Sequence, residues 1–284
     1  MSILIRIVTD SAADFEPWEI KEKNIECVPL SVIFNDTEYK ENVDISKERF
    51  YELLKTESRM PRTSQPSPQD YIDLIEKAKK DGEDIIIVTI SSGLSGTYQS
   101  VVATSELCGY ERCHVVDSLN GTGGERMIVE YAVRLRDEGK SAEEIVEKIS
   151  KLRERVVLYT VMDTLEYLHR GGRISSAVYK IGSLAHIKPI MHVSKEGKAE
   201  IPAKTMGTSK GIDFIVKHVG KDMPDEDFPF YIMFTENRKN GEILRERLEK
   251  IGVFVPEERI IPVGAVIGTH IGPGACAVVY IGKN

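Results

Sequence analysis

The run "DIIIVTI", residues 84–90, constrains this chain more than any other stretch. Four consecutive β-branched residues, Ile85 to Val88, make a strand that is apolar on both faces. Such a strand has to be covered on both sides, which is the position of an interior strand in a parallel sheet. Its neighbours fit. Before it, "SPQDYIDLIEKAKKDG" carries Tyr71, Leu74, Ile75 and Ala78 on one helical stripe and stops at Gly82. After it, residues 95–107 read as another helix. "ILIRIVTD" and "HVVDS" are two more apolar runs followed by helix-type sequence: "SAADFEPWEIKEKN", opening at Ser11 or Asp14, and helices near 121–138 and 141–153. Between them, "IECVPLSVIFND" reads as one extended run and "DISKERFYELLKTE" as a helix opening at Asp44 or Ser46. The alternation predicts an α/β fold whose N-terminal half is a mostly parallel sheet with helices on both faces.

From "RVVLYTVMD" the pattern changes. "TLEYLHRGGRISSAVYKIGSLAHI" is helical on either side of a Gly-Gly break, and "IKPIMHV" and "AEIPAKTM" form a strand pair across the turn "SKEGK". Helix "TSKGIDFIVKHV", strand "FPFYIMFTE", helix "NGEILRERLEKI" and strands "ERIIPVG" and "ACAVVYIG" follow. This half reads as a mixed α/β domain. The expected division is residues 1–155 and 156–284, a length that suits two ordinary domains.

Composition removes several classes. The formal charge is −7 and no Lys/Arg-rich stripe is present, which argues against nucleic acid as a partner. Cys27, Cys108, Cys113 and Cys276 form no CxxC pair, and the six histidines form no HExxH or i, i+4 pair, so neither a metal site nor a disulfide framework is expected. The N-terminus lacks signal-peptide length, and no run of about 18 apolar residues occurs. The expectation is a cytoplasmic protein without stable membrane insertion.

Small polar residues gather where three of the predicted strands end: Asp10-Ser11, the stretch "TISSGLSGTYQS", and Asp117-Ser118. The carboxyl ends of parallel strands share one edge, where ligands bind, although each Asp or Ser reads equally as a helix cap. In the middle stretch, Gly93 and Gly96 allow a tight turn with close approach of a ligand to backbone, and Ser95 and Thr97 stand at a helix start: an anion seat. GxxxxGK[ST] is absent, which disfavours a nucleotide-phosphate loop. A second reading is the G-x-S-x-G nucleophile elbow of an acyl-ester hydrolase, with Ser95 as nucleophile and Asp117 or Asp163 followed by His270 completing the order. Thr97 occupies the position of the second glycine. "PRTSQPSPQDY" sets Thr63 and Ser64 in an extended, proline-flanked loop. "HRGGRISSA" holds Arg170 and Arg173, and "GTHIGPGA" surrounds His270 with glycines. Each of these has an ordinary structural explanation as well.

Together, "IVTDSAAD", "VPLSVIF", "TSQPSPQDY", "ISSGLSGTYQS", "VVDS", "GGRIS", "IKPI" and "GPGA" run nearly end to end in an order that resembles the DegV family of bacterial fatty-acid-binding proteins. The resemblance implies a two-domain α/β fold with one long-chain fatty acid between the domains and no cofactor. It also implies a non-enzymatic role as acyl-carrying subunit for a separate ATP-dependent fatty-acid kinase that feeds acyl-phosphate to phospholipid synthesis. Carried over by motif, Thr63, Ser95 and His270 would bind the carboxylate. Arg173, Ser64, Ser92 and Gly96 would lie near the head group or serve the kinase. The segment Asn120-Gly121-Thr122 departs from the family's usual run after "VVDS" and leaves that edge of the pocket open. Burying about 15 methylenes at roughly 0.8 kcal/mol each contributes about 12 kcal/mol gross, against about 1–3 kcal/mol for head-group hydrogen bonds.

Overall fold

The computed structural model describes residues 4–182 and 186–283. In chain order the strands are β1 (Ile5–Asp10), β2 (Glu26–Val28), β3 (Ser31–Phe34), β4 (Thr37–Lys40), β5 (Arg62–Ser64), β6 (Asp84–Thr89) and β7 (Cys113–Asp117). The second half contributes β8 (Val156–Val161), β9 (Ile187–Val193), β10 (Ala199–Met206), β11 (Tyr231–Phe234), β12 (Ile260–Pro262) and β13 (Cys276–Ile281).

The first sheet has the order β2-β1-β6-β7 and is parallel throughout. All six residues of β6 are buried, as its two-sided apolar sequence requires. Ile85 and Ile87 pack with Val8, Tyr71, Ile75 and Val101 on one face; Ile86 and Val88 pack with Ile7, Met127 and Ile145 on the other. Helices Pro68–Asp81 and Thr97–Cys108 therefore cover one face, and Gly123–Asp137 and Ala142–Leu152 the other.

The second sheet, β10-β9-β8-β13-β11-β12, is antiparallel except for β11 with β12. Helices Thr208–Val219 and Lys239–Glu249 cover its outer face. Its inner face shares one core with the first sheet: Leu158, Met191, Met233 and Val279 belong to the same buried cluster as Ile7 and Met127. Helix Gly123–Asp137 lies between the two sheets. A Cβ on Gly123 would stand 3.0 Å from Val279, so this glycine sets how closely the helix approaches.

Several expectations are corrected locally. "IECVPLSVIFND" is two strands in different sheets, because Pro29 interrupts it: β2 joins the parallel sheet, and β3 joins β4 and β5 in a small antiparallel sheet. Thr63 and Ser64 therefore stand on a strand, not in a loop. Neither Ser11 nor Asp14 starts the long predicted helix. Ser11–Ala13 is a single 3-10 turn ended by Asp14 in the left-handed region (φ 60°), and the α-helix begins at Pro17. His270 sits on a short helix, Ala265–Ile271, rather than in a glycine loop. The helical stretches around the Gly-Gly break are Glu166–Arg170 and Ser176–Gly182; Ser183-Leu184-Ala185 of that stretch lie outside the described residues.

Candidate functional site

A cavity with about 830 Å³ of empty space, its open mouth included, lies between the inner face of the mixed sheet and the loops of the parallel sheet. Its floor is one row across four strands. Met191, Thr160, Ala277 and Met233 are register partners on β9, β8, β13 and β11, and all four line the space. Ile90 and Leu94 close it from the parallel-sheet loops, and Val266 and Ile267 from the short helix. The lining is overwhelmingly apolar.

Polar groups cluster where Thr63, Ser95, Arg173 and His270 all border the cavity. The Thr63 hydroxyl and His270 Nε2 are 2.9 Å apart. Helix Ala265–Ile271 packs on β5, and that packing joins two residues 207 positions apart in sequence. Burial first, and the nearby Arg173 charge second, push His270 down to about 3, so its ring is neutral at ordinary pH. Among the described residues its Nδ1 has no hydrogen-bond partner. Ser95 Oγ lies 2.9 Å from Thr97 Oγ1 and accepts the Thr97 N–H at 3.3 Å. The helix-start N–H at Thr97 is thus already taken by Ser95, and the group left facing the cavity is a hydroxyl. Arg173 donates from Nε to Leu94 O (2.9 Å) and from a terminal nitrogen to Gly171 O, tying the Ser95 loop to the turn after helix Glu166–Arg170. Arg170 pairs with Glu166, whereas no acidic side chain acts on Arg173 among the described residues. Burial lowers its pKa.

The other expected residues divide. Ser64 and Gly96 border a cleft outside the mouth, together with Thr63, Gln65, Ser95 and Arg173. Ser92 is not on the cavity wall; its N–H donates to Asp117 Oδ1 at 3.1 Å. Both glycines are packed closely against other parts of the chain. A Cβ on Gly93 would lie 2.6 Å from Gly197 O, and one on Gly96 would lie 2.5 Å from the Gln65 amide. Gly121 and Thr122 line the cavity, but the Thr122 hydroxyl donates to Asp14 and Asn120 Nδ2 to Ser118 O, so neither side chain is turned to the mouth.

The strand-end acids brace the loops. Asp10 accepts from Ala12 N (3.0 Å) and Ile90 N (2.8 Å), and Asp117 from Ser92 N and Leu119 N. Asp10 is fully buried, and its pKa is pushed up to about 7, by burial chiefly, with the two backbone N–H groups opposing. Sequence reading missed Thr160, inside an apolar run, and Thr235, at the end of one, on the cavity wall, where no motif marks either.

The nucleophile elbow is not assembled. Ser95 bonds to Thr97 while the His270 ring bonds to Thr63, and Ser95 is not one of the described non-glycine residues with positive φ. A hydrolase elbow needs a strained turn and a nucleophile–base contact.

The family model described as "Uncharacterised protein, DegV family" matches residues 4–283. The chain belongs to the DegV family. A DegV domain-containing protein of Caldanaerobacter subterraneus is 36% identical over 281 residues, covering 97% of this chain and 98% of the relative. Two solved structures of DegV proteins superpose over nearly the whole length. One, a fatty-acid-binding DegV family protein from Thermus thermophilus, has a TM-score of 0.87 at 28% identity and covers 98% of this chain and 100% of that one. The other, DegV, a fatty acid binding protein from Bacillus subtilis, has a TM-score of 0.83 at 30% identity, with 99% and 100% covered. Among the described residues, no helix of this DegV protein is long and apolar enough to cross a membrane, and no cluster of three or more His, Cys, Asp or Glu could hold a metal ion.

Proposed function

We propose that this DegV protein binds one long-chain fatty acid, tail in the apolar cavity and carboxylate at the Thr63–Ser95–His270 mouth, and presents it to a separate ATP-dependent kinase. The reading is carried by one observation: Thr63 and His270 meet at 2.9 Å on the edge of a cavity that is otherwise almost wholly apolar. An amphiphile with one small anionic end fits that division. The chemistry of the donors agrees. Hydroxyls and a neutral imidazole orient a carboxylate without neutralising it, so an oxygen stays nucleophilic toward the γ-phosphorus of ATP, with ADP as leaving group.

Arg173, with Ser64 and Gly96 beside it, belongs to the outer side of this mouth. A second depression bordered by Arg59, Arg62, Arg170 and Arg173 adjoins Thr63 and His270, and its positive charge suits an incoming phosphoryl group or the acidic face of a kinase. The division into residues 1–155 and 156–284 remains part of the proposal, with the ligand between the two units; the cytoplasm is where acyl acceptor and ATP would both be available.

The test is direct. Organic extraction of purified protein followed by mass spectrometry should yield one fatty acid per chain; an empty cavity, or a nucleotide, would remove the proposal. Adding a fatty-acid kinase and ATP to the loaded protein should yield acyl-phosphate, trapped as the hydroxamate, and Arg173→Ala should lower that yield more than it lowers fatty-acid affinity.

A further inference from the structure

The helix bearing His270 is held at its first turn by two buried carboxyl groups from the other half of the chain. Asp14 Oδ1 accepts the Gly264 N–H at 2.8 Å, and Glu41 Oε1 accepts the Val266 N–H at 3.0 Å. The two acids close on the same backbone: a Cβ on Gly264 would collide with both Glu41 Oε1 and Asp14 Oδ1. Asp14 is 1% exposed and Glu41 2%.

Two adjacent buried carboxylates need cations of their own, or they keep a proton. Neither nearby cation is reserved for them. Lys47 pairs with Glu16 at 2.6 Å and donates to the Asp14 and Pro262 carbonyls; Arg126 pairs with Glu19 and, at 3.3 Å, with Glu130. Burial pushes both carboxyl groups up, but their oxygens are served unequally. Asp14 receives two hydrogen bonds, from Gly264 N and the Thr122 hydroxyl, as an ionised carboxylate would. Glu41 accepts the Val266 N–H at Oε1 and faces the Ser11 hydroxyl, but among the described residues its buried Oε2 has no partner.

We propose that Glu41 is a positioning residue for the head-group site: held protonated beside ionised Asp14, it seats the first turn of the His270 helix, and loss of that proton loosens the Thr63–His270 contact. The remaining groups facing the pair are known from every element around it. Lys47 and Tyr51 come from helix Lys47–Thr56, the Ser11 hydroxyl from the 3-10 turn and Arg126 from helix Gly123–Asp137. Cys27, Glu125 and, through Tyr51, Glu236 act at longer range. Burial first and Asp14 second push Glu41 up to about 7, against the Ser11 hydroxyl, the Val266 N–H and Lys47. The pair therefore loses its proton inside the physiological range. Tyr51 OH donates to Val263 O at 3.1 Å and does not change state there, because burial raises it further from neutrality.

The proposal rests on the fatty-acid reading for its consequence, but not for its first measurement. In ligand-free wild-type protein, the amide resonances of Gly264 and Val266 should shift together between pH 5 and pH 9 with a midpoint of about 7, and Glu41→Gln should abolish the transition. Gln keeps an acceptor for Val266 N and mimics the protonated oxygen. Displacement of cis-parinaric acid should then show the wild-type Kd rising about five- to tenfold between pH 6 and pH 8.5, the lower range of inter-site coupling. Glu41→Gln should hold the low-pH affinity throughout, and Glu41→Ala should weaken binding at every pH. Amides that show no transition, or a transition that survives in Glu41→Gln, would overturn the protonated pair. Titrating amides with a pH-independent Kd would overturn the positioning role. Titrating amides with no cis-parinaric acid binding at all would leave the pair standing and sink the fatty-acid reading instead.

Discussion

The two walls of the cavity are built on opposite principles. On the parallel-sheet side, the backbone of the loops is bound in place by buried polar groups: Asp10 to Ile90, Ser91 to Gly197 O at 2.7 Å, and Asp117 to Ser92 and Leu119. On the mixed-sheet side, the wall is the face of four strands, and the row Met191, Thr160, Ala277, Met233 is set by register alone. Hydrogen bonds are directional and fix atoms to fractions of an ångström; apolar packing is not directional and fixes only volume. On the function proposed above, the first wall can hold Ser95 in place at the mouth, while the second can accept any tail that fits.

This contrast is most severely tested by filling the space. Ala277→Phe points a ring into the cavity from the centre of the row. Excluding roughly seven methylenes at about 0.8 kcal/mol each removes more than 5 kcal/mol, so fatty-acid binding should disappear from calorimetry while the fold persists. Retained affinity would mean that the tail lies elsewhere.

Next in size is Lys47→Ala on the polar side. Lys47 is 5% exposed and bridges Glu16, the Asp14 carbonyl and Pro262 O. Leaving those groups without their cation should cost about 3–5 kcal/mol in urea denaturation.

A smaller effect follows from the acid–base balance of the two halves. His270 is depressed to about 3, so its contribution to stability is present above the unfolded value near 6.5 and is lost as pH falls toward 3. Glu41 is raised to about 7, so its contribution is present below the unfolded value of about 4.5 and is lost as pH rises through about 7. The unfolding free energy of His270→Gln should therefore fall less steeply on acidification, by up to about 1.4 kcal/mol per pH unit below pH 6. Glu41→Gln should change the neutral limb instead. A His270→Gln acid limb identical to wild type would place the imidazole in water.

The smallest expected change in affinity belongs to the head group itself. Thr63→Ala or Ser95→Ala removes one hydroxyl and should weaken fatty-acid binding by about tenfold or less, while acyl-phosphate formation falls much further because the carboxylate is no longer oriented. Unchanged kinase turnover in either variant would take that residue out of the site.

Much of this was legible in the amino acids. β6 announces its buried, two-sided position through Ile85–Val88, and Ser67 and Gly82 mark both ends of helix Pro68–Asp81 through cap chemistry confined to a few neighbouring residues. The polar edge was legible too, because Asp117 ends a recognisable strand and Ser95 lies in the loop that follows another. The uses of Gly93 and Gly96 were not. Their tight spacing suggests a ligand, yet what approaches them is Gly197 and Gln65, and no local pattern encodes a contact with a distant turn. The roles of Asp14, read only as a helix start, and of Glu41 were hidden for the same reason. Nothing in their neighbouring residues marks the contact each makes with Gly264 or Val266, more than 200 positions away.

Sequence by itself determined the α/β architecture, the family, and the residue types available at each strand end, because periodicity and capping act over a few residues. The tertiary structure alone decided that Thr63 meets His270, that the Met191–Met233 row forms a floor, and that Glu41 stands under the helix opposite. Those are contacts between segments far apart in the chain, set by sheet register and by the close packing of one shared core.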